Sequence, residues 1–305
     1  MLTRCFFLAI ALAAVVHDRA HAQGVKLAEA PLDQRCIRNE ISLQFDGKIT
    51  VKQDGKEVSF PHQVRAKHAF VERFLEVGPV GGARAARQYA EAQSTLTFNN
   101  DASERRTLRP ERRFLVAQRV KDRLVSFSPE GPLTREEMEL TEHFDTLAVG
   151  SLLPGAAIEV GKTWPLANPV VAALCDFEGL TSQNLVGTLV SAAGDQARIK
   201  ITGNANGINL GAEVAMIVNA EGTFDLKQQR LIALQWKETI ERKQGPITPA
   251  LAAEAVIELK RTPVETPNDL NDFALVKVPA AKTPPAELTA IRHDDAMKRF
   301  TLSYA

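Results

Sequence analysis

The sequence predicts a mainly β chain of the α+β class: two packed antiparallel β units, the second a meander curled like half a barrel, and one capped helix around residues 134–148. Three observations lead there. From residue 34 onward apolar and polar residues alternate at period 2, the pattern of strands with one face on a core and one in water. Turn residues punctuate that alternation at hairpin spacing. Only one segment combines a helix start signal with a long stripe at helical spacing.

In chain order, Met1–Ala22 reads as a secretory signal. Arg4 supplies the positive end, Cys5–Val16 the apolar run, and Ala20-His21-Ala22 a small-x-small cleavage site. That run of about 12 residues is shorter than the ~20 a helix needs to cross a bilayer, and no other stretch approaches it, so no membrane span is expected. Cys5 stands at the start of the run rather than after it, and Arg4 sits where a lipobox needs a small residue, which argues against a lipid anchor.

The first unit, residues 33–150, opens with Ile41, Leu43 and Phe45 in alternation. Asp46-Gly47 and Asp54-Gly55 are the strongest hairpin signals, and a long run from Val58 to Leu75 follows. Ala83–Phe98 is mixed: its Ala- and Arg-rich start suits a helix, whereas Ala92, Ser94, Leu96 and Phe98 alternate like a strand. Residues 112–120 and 123–127 flank Lys121-Asp122 as a further hairpin. At Thr134 a capping box with Glu137 and a staple between Leu133 and Met138 start the helix, and Leu140, Phe144 and Leu147 form its stripe.

The second unit, residues 151–262, begins with Pro/Gly punctuation through Trp164. Asn168-Pro169 starts a short helix to Cys175. Strands then follow at 185–190 and along the rows Ala197/Ile199/Ile201, Ile208 to Val218, Ile232/Leu234/Trp236/Ile240 and Leu251 to Leu259. Pro263, Pro267, Pro279, Pro284 and Pro285 mark residues 263–285 as a semi-rigid linker. Residues 286–305 form a terminal segment that either adds a strand or opens a further domain.

Leu152-Leu153-Pro154-Gly155 followed by Val160-Gly161-Lys162-Thr163-Trp164 resembles the connection in a group of uncharacterised exported bacterial β-rich proteins, with a looser likeness over residues 35–262. The resemblance implies a β architecture and export. It implies no activity.

With 37 basic and 37 acidic side chains the chain carries no net charge, which excludes a polycationic nucleic-acid binder and long-range electrostatic steering. Serine-nucleophile elbows, His-Glu-x-x-His, phosphate-binding Gly-rich loops and Cys-x-x-Cys are all missing, so neither a catalytic residue, a metal site nor a cofactor is expected. His62 and His68 share one strand face about 20 Å apart, too far for a common ion. His143, four residues after Glu139, suits a surface ion pair, and Asn268–Asp272 lacks the Gly and distal Glu of a calcium loop.

Candidate binding residues are Arg105, Arg106, Arg109, Arg112 and Arg113, an anion site unless Glu104, Glu111 and the acidic helix neutralise it. Trp164 is a candidate exposed ring, while Trp236 lies in phase with core residues. Cys36 and Cys175, the two cysteines after the signal, either form a disulfide or remain two buried thiols; a bond would add about 4–5 kcal/mol. Three functions fit: a binding or carrier module for an apolar or envelope ligand, a structural or protein-interaction module, and a hydrolase with carboxylates hidden among surface acids.

Overall fold

The computed structural model describes residues 24–31, 36–53, 55–78, 81–101, 103–120, 123–141 and 144–278. The signal, Asp54, Lys121, Asp122, His143 and the chain from Pro279 onward lie outside the described residues.

A short β1 (Val25–Lys26) precedes a meander of long strands, β2 (Cys36–Gln53), β3 (Lys56–Gly78) and β4 (Gly81–Phe98). The chain then forms β5 (Glu104–Thr107), β6 (Phe114–Val120), β7 (Arg123–Phe127) and α1 (Arg135–Thr141). Next come β8 (Ala157–Ile158), β9 (Thr163–Pro165) and α2 (Asn168–Leu174). The second half holds β10 (Gly179–Gln183), β11 (Val186–Ala193), β12 (Gln196–Asn209), β13 (Ala212–Asp225), β14 (Arg230–Arg242), β15 (Ala250–Val264) and α3 (Asp272–Leu275).

Thirteen of these strands make one antiparallel sheet, with the path β7-β6-β4-β3-β2-β15-β14-β13-β12-β11-β9. It does not close into a barrel. The two β units therefore meet edge to edge: β2 pairs with β15 from Cys36 opposite Val264 to Thr50 opposite Ala250. Each unit ends in a long strand whose backbone groups need partners, and pairing the two removes both open edges.

The inner face carries the main core. Residues from β2, β3, β4, β6 and β11 to β15 join Phe144, Trp164 and α2 in a single apolar cluster. Curling the sheet around α2 and the segment after α1 is what lets strands so far apart in the path share one core. A second cluster on the outer face gathers Cys36, Phe114, Val116 and Leu270.

Several expectations are corrected here. Asp46-Gly47 is not a turn but the middle of β2: Asp46 receives Arg65 at 2.7 and 2.8 Å, and Gly47 lies opposite Ala253 and His62. A Cβ at Gly47 would stand 2.7 Å from the Ala253 Cβ, so the glycine serves a close strand approach rather than a reversal. The whole of Gly81–Phe98 is strand, with no helical start.

Helix α1 begins as its capping box requires, with Glu137 N donating to Thr134 Oγ1 at 3.2 Å and Thr134 N to Glu137 Oε2 at 2.9 Å. It is shorter than expected. Thr141 turns its hydroxyl back to the Glu137 and Met138 carbonyls, Met138 is exposed instead of stapling Leu133, and Asp145 accepts from Leu147 N in a separate turn. The residues read as a linker pack down as far as they are described: Leu270 is fully buried, and Arg73 donates to its carbonyl at 2.7 Å and to Asp272 at 2.5 Å.

A cavity on the inner face of the sheet as the candidate functional site

The register of four strands lays side chains in rows across the inner face. Leu43, Ile257, Trp236 and Ala220 form one row; Phe45, Ala255, Glu238 and Val218 the next; then Gly47, Ala253, Ile240 and Met216; then Ile49, Leu251, Arg242 and Val214. Small residues in β15 opposite larger ones in β14 leave the face dished. A cavity of about 420 Å³ lies over it, and a groove of about 700 Å³ continues past Arg242, Leu251 and Val214, which line both.

The roof comes from α2 and the loop after it. Pro169 opens α2, and Val170, Val171 and Leu174 turn its apolar stripe to the core. Asp176 then takes a left-handed conformation (φ 51°), held by Asn209 Nδ2, which donates to its carbonyl at 2.8 Å and its carboxylate at 3.2 Å. Phe177 is buried against Gly207 of β12, where a Cβ would come within 2.6 Å of the ring, so that glycine seats the roof. Phe144 leans on Trp236 at 5.7 Å between ring centres, and the Arg119–Asp145 ion pair (2.5 Å) closes one wall.

Two charged side chains interrupt the apolar floor. Burial pushes the Glu238 carboxyl up to about 7, against the lowering effect of a 2.9 Å bond donated by Trp236 Nε1, and nearby Asp176 adds to the rise. Four residues on, burial lowers the Arg242 guanidinium. Its Nε is enclosed with no hydrogen-bond partner, and Nη2 reaches only the Pro249 carbonyl, at 3.4 Å. Neither residue was singled out in the sequence. The available signal was a charge in phase with Leu234, Trp236 and Ile240, where the alternation calls for an apolar side chain.

The residues that were singled out lie elsewhere. Arg109 makes a two-pronged pair with Glu137 at 2.6 and 2.7 Å, and Arg106 bridges Glu104 and Glu139 at 2.6 and 2.5 Å. Arg105 donates to Gln93, Arg112 to the Pro132 and Glu111 carbonyls, and Arg113 is exposed. Their guanidinium groups go to different partners instead of converging on one anion position. Trp164, the candidate exposed ring, is 7% exposed and donates from Nε1 to the Leu152 carbonyl at 2.9 Å.

Cys36 and Cys175 do not pair. Cys36 belongs to the outer cluster and contacts Thr266, whereas Cys175 belongs to the inner core beside the cavity, so the sheet lies between them. Among the described residues no group of His, Cys, Asp and Glu could hold a metal ion. His68 is buried, and burial with the nearby Arg87 charge lowers it to about 4.

No family model matches the sequence, and no curated protein matches it. Among solved structures, the chain is similar to one described as lipid–protein interactions in lipovitellin, at 7% identity and a TM-score of 0.41 over 77% of this chain and 26% of that one. It is also similar to a LolA superfamily protein from Nitrosomonas europaea (11% identity, TM-score 0.19, 82% of this chain and 96% of that one). A DUF1329 family protein from Desulfovibrio piger matches at 10% identity and a TM-score of 0.15 over 79% and 91% of the two chains. Similarity at this level says nothing of what the cavity holds.

Proposed function

We propose that the chain is an exported, non-catalytic carrier that holds an apolar ligand in the inner-face cavity. The observation supporting this is the cavity itself, about 420 Å³ of space floored by Leu43, Ile240, Met216 and Ile257, within the size range of small-ligand sites. The cavity opens into the groove, so its apolar floor faces water until something covers it, and covering it is favourable. The signal reading of Met1–Ala22 supports export, and no helix among the described residues is long and apolar enough to cross a membrane.

The rival readings have less behind them. Strand addition needs a long open edge, yet the path ends at β9, three residues closed by Pro165, and β7, five residues. A hydrolase needs a second reacting group set against its acid. Of the acids lining the cavity with Glu238, Asp145 is committed to Arg119, Asp176 is bonded by Asn209 and Glu178 accepts from the Gly211 amide.

Titration with an apolar phenylnaphthylamine dye tests the reading. Fluorescence should rise and saturate with the wild type. Ala255→Phe, which fills the floor between Phe45 and Glu238, should abolish the rise while the urea transition stays cooperative. Unchanged dye affinity in Ala255→Phe, or no binding by the wild type, would refute the cavity as the site.

A further inference from the structure

We propose that the ligand is a single-chain amphiphile with an anionic head, a carboxylate or a phosphate monoester, and that Arg242 holds the head at the mouth of the cavity. This rests on the carrier reading above.

Arg242 stands where the cavity opens into the groove and lines both. The other arginines of the interior have carboxylates: Arg87 has Glu72, Arg119 has Asp145, and Arg230 and Arg261 share Glu29. Arg242 has no carboxylate partner among the described residues, and its Nε is enclosed without an acceptor. Its neighbour Lys243 is already paired with Glu213 at 2.6 Å. Arg242 is half-buried with its Nε fully enclosed, so part of the guanidinium has lost water without gaining a counter-ion, and an anion brought by the ligand makes good that loss. Its planar fork suits a carboxylate or a phosphate.

The acids fix which way the ligand lies. Glu238 is on the same face of β14, about 13 Å from Arg242 at ~3.3 Å per residue. Asp176 adds its charge to that of Glu238, Asp145 is neutralised by Arg119, and Glu178 lines the cavity with its carboxylate held by the Gly211 amide. The cations lining the cavity are Arg119, already paired with Asp145, and Arg242, so an anionic head is drawn to the Arg242 end. The tail then runs over Ile240, Met216 and Ala255. A volume near the lower limit of the roughly 300–1,000 Å³ of small-ligand sites suits one chain and not two.

The test is displacement of the bound dye by dodecanoate, dodecyl phosphate, dodecanol and dodecylamine, each below its micelle concentration, from wild type, Arg242→Gln and Arg242→Lys. At least one anion should bind about tenfold or more tighter than dodecanol, the worth of one charge-assisted hydrogen bond. Arg242→Gln should erase that preference without changing dodecanol affinity, and Arg242→Lys should restore part of it. A preference for one anion over the other supports the inference and separates carboxylate from phosphate. Dodecanol binding the wild type as tightly as both anions, or dodecylamine binding tightest, overturns the inference and leaves the carrier reading intact. Displacement by none of the four overturns both. The wild-type comparison decides even if a variant does not fold.

Discussion

Glu238 makes stability depend on pH in a direction opposite to that of an ordinary paired carboxylate. Its folded value is raised from 4.5 to about 7, so between those values the unfolded chain has released the proton while the folded chain retains it. The contribution is fully present below pH 4.5 and is lost as pH rises toward 7, by up to about 3 kcal/mol for a shift of that size. His68 works the other way in nearly the same window. Its value is lowered from 6.5 to about 4, so its contribution grows as pH rises from 4 to 6.5. The two nearly cancel in the wild type, and a single pH profile would show little. The difference between wild type and Glu238→Gln isolates the acid, because Gln keeps an acceptor for Trp236 Nε1 and does not ionise. Urea titrations at half-unit steps from pH 4.5 to 8 should find the two within about 1 kcal/mol at the acid end and Gln more stable by roughly 2–3 kcal/mol above pH 7. A difference that stays flat across this range would mean that Glu238 ionises as in water, and the desolvation argument would be wrong.

Protein lacking residues 1–22, and so Cys5, should give two free thiols with a maleimide reagent when unfolded without reduction, and a mobility change on reduction would contradict the separation of Cys36 and Cys175. Arg87→Met leaves Glu72 fully buried with only Thr146 and Asn39 for company, and should cost about 3–5 kcal/mol in a denaturant titration. Adding Glu72→Leu should recover much of that loss; a double variant no better than the single would show that the pair acts through packing. Thr134→Ala removes the acceptor for Glu137 N and should cost about 1 kcal/mol. An unchanged midpoint would mean that the start of α1 frays.

The sequence was most legible where local pattern and local chemistry coincide. The rows of β12 to β15 and the capping box of Thr134 with Glu137 all follow from contacts within a few residues. The chain reverses between Gln53 and Lys56, with Gly55 at φ 78°, whereas at Asp46-Gly47 it runs straight on. Asp-Gly permits a reversal without enforcing one, and at Gly47 the approach of Ala253 decided the outcome. Pairs remote in sequence left no local trace. The register of β2 on β15 joins residues 200 or more apart, and Leu270 finds Cys36 on the outer face only once that register exists. Proline content alone suggested an extended linker at 263–278, but a proline at a strand end or before a helical turn is compatible with packing.

The site was harder to find than the fold because attention went to clustered charge, and clustered charge here is mostly self-satisfied. Arginines near acids in sequence, as at residues 104–113, have partners within reach before any ligand arrives. The informative charges are isolated ones that interrupt an apolar alternation. Glu238 and Arg242 occupy inward positions of β14, where each must be paired, neutralised or left for something else. Glu238 is moved toward neutrality by its surroundings. A guanidinium does not lose its proton in a protein, so Arg242 has no such route, and Glu238, the acid on its own face of β14, is about 13 Å away at ~3.3 Å per residue. Of the two interruptions, then, only the arginine calls for a partner from outside the chain, and for that reason the head-group comparison is a sharper test of function than any change at the arginine-rich stretch.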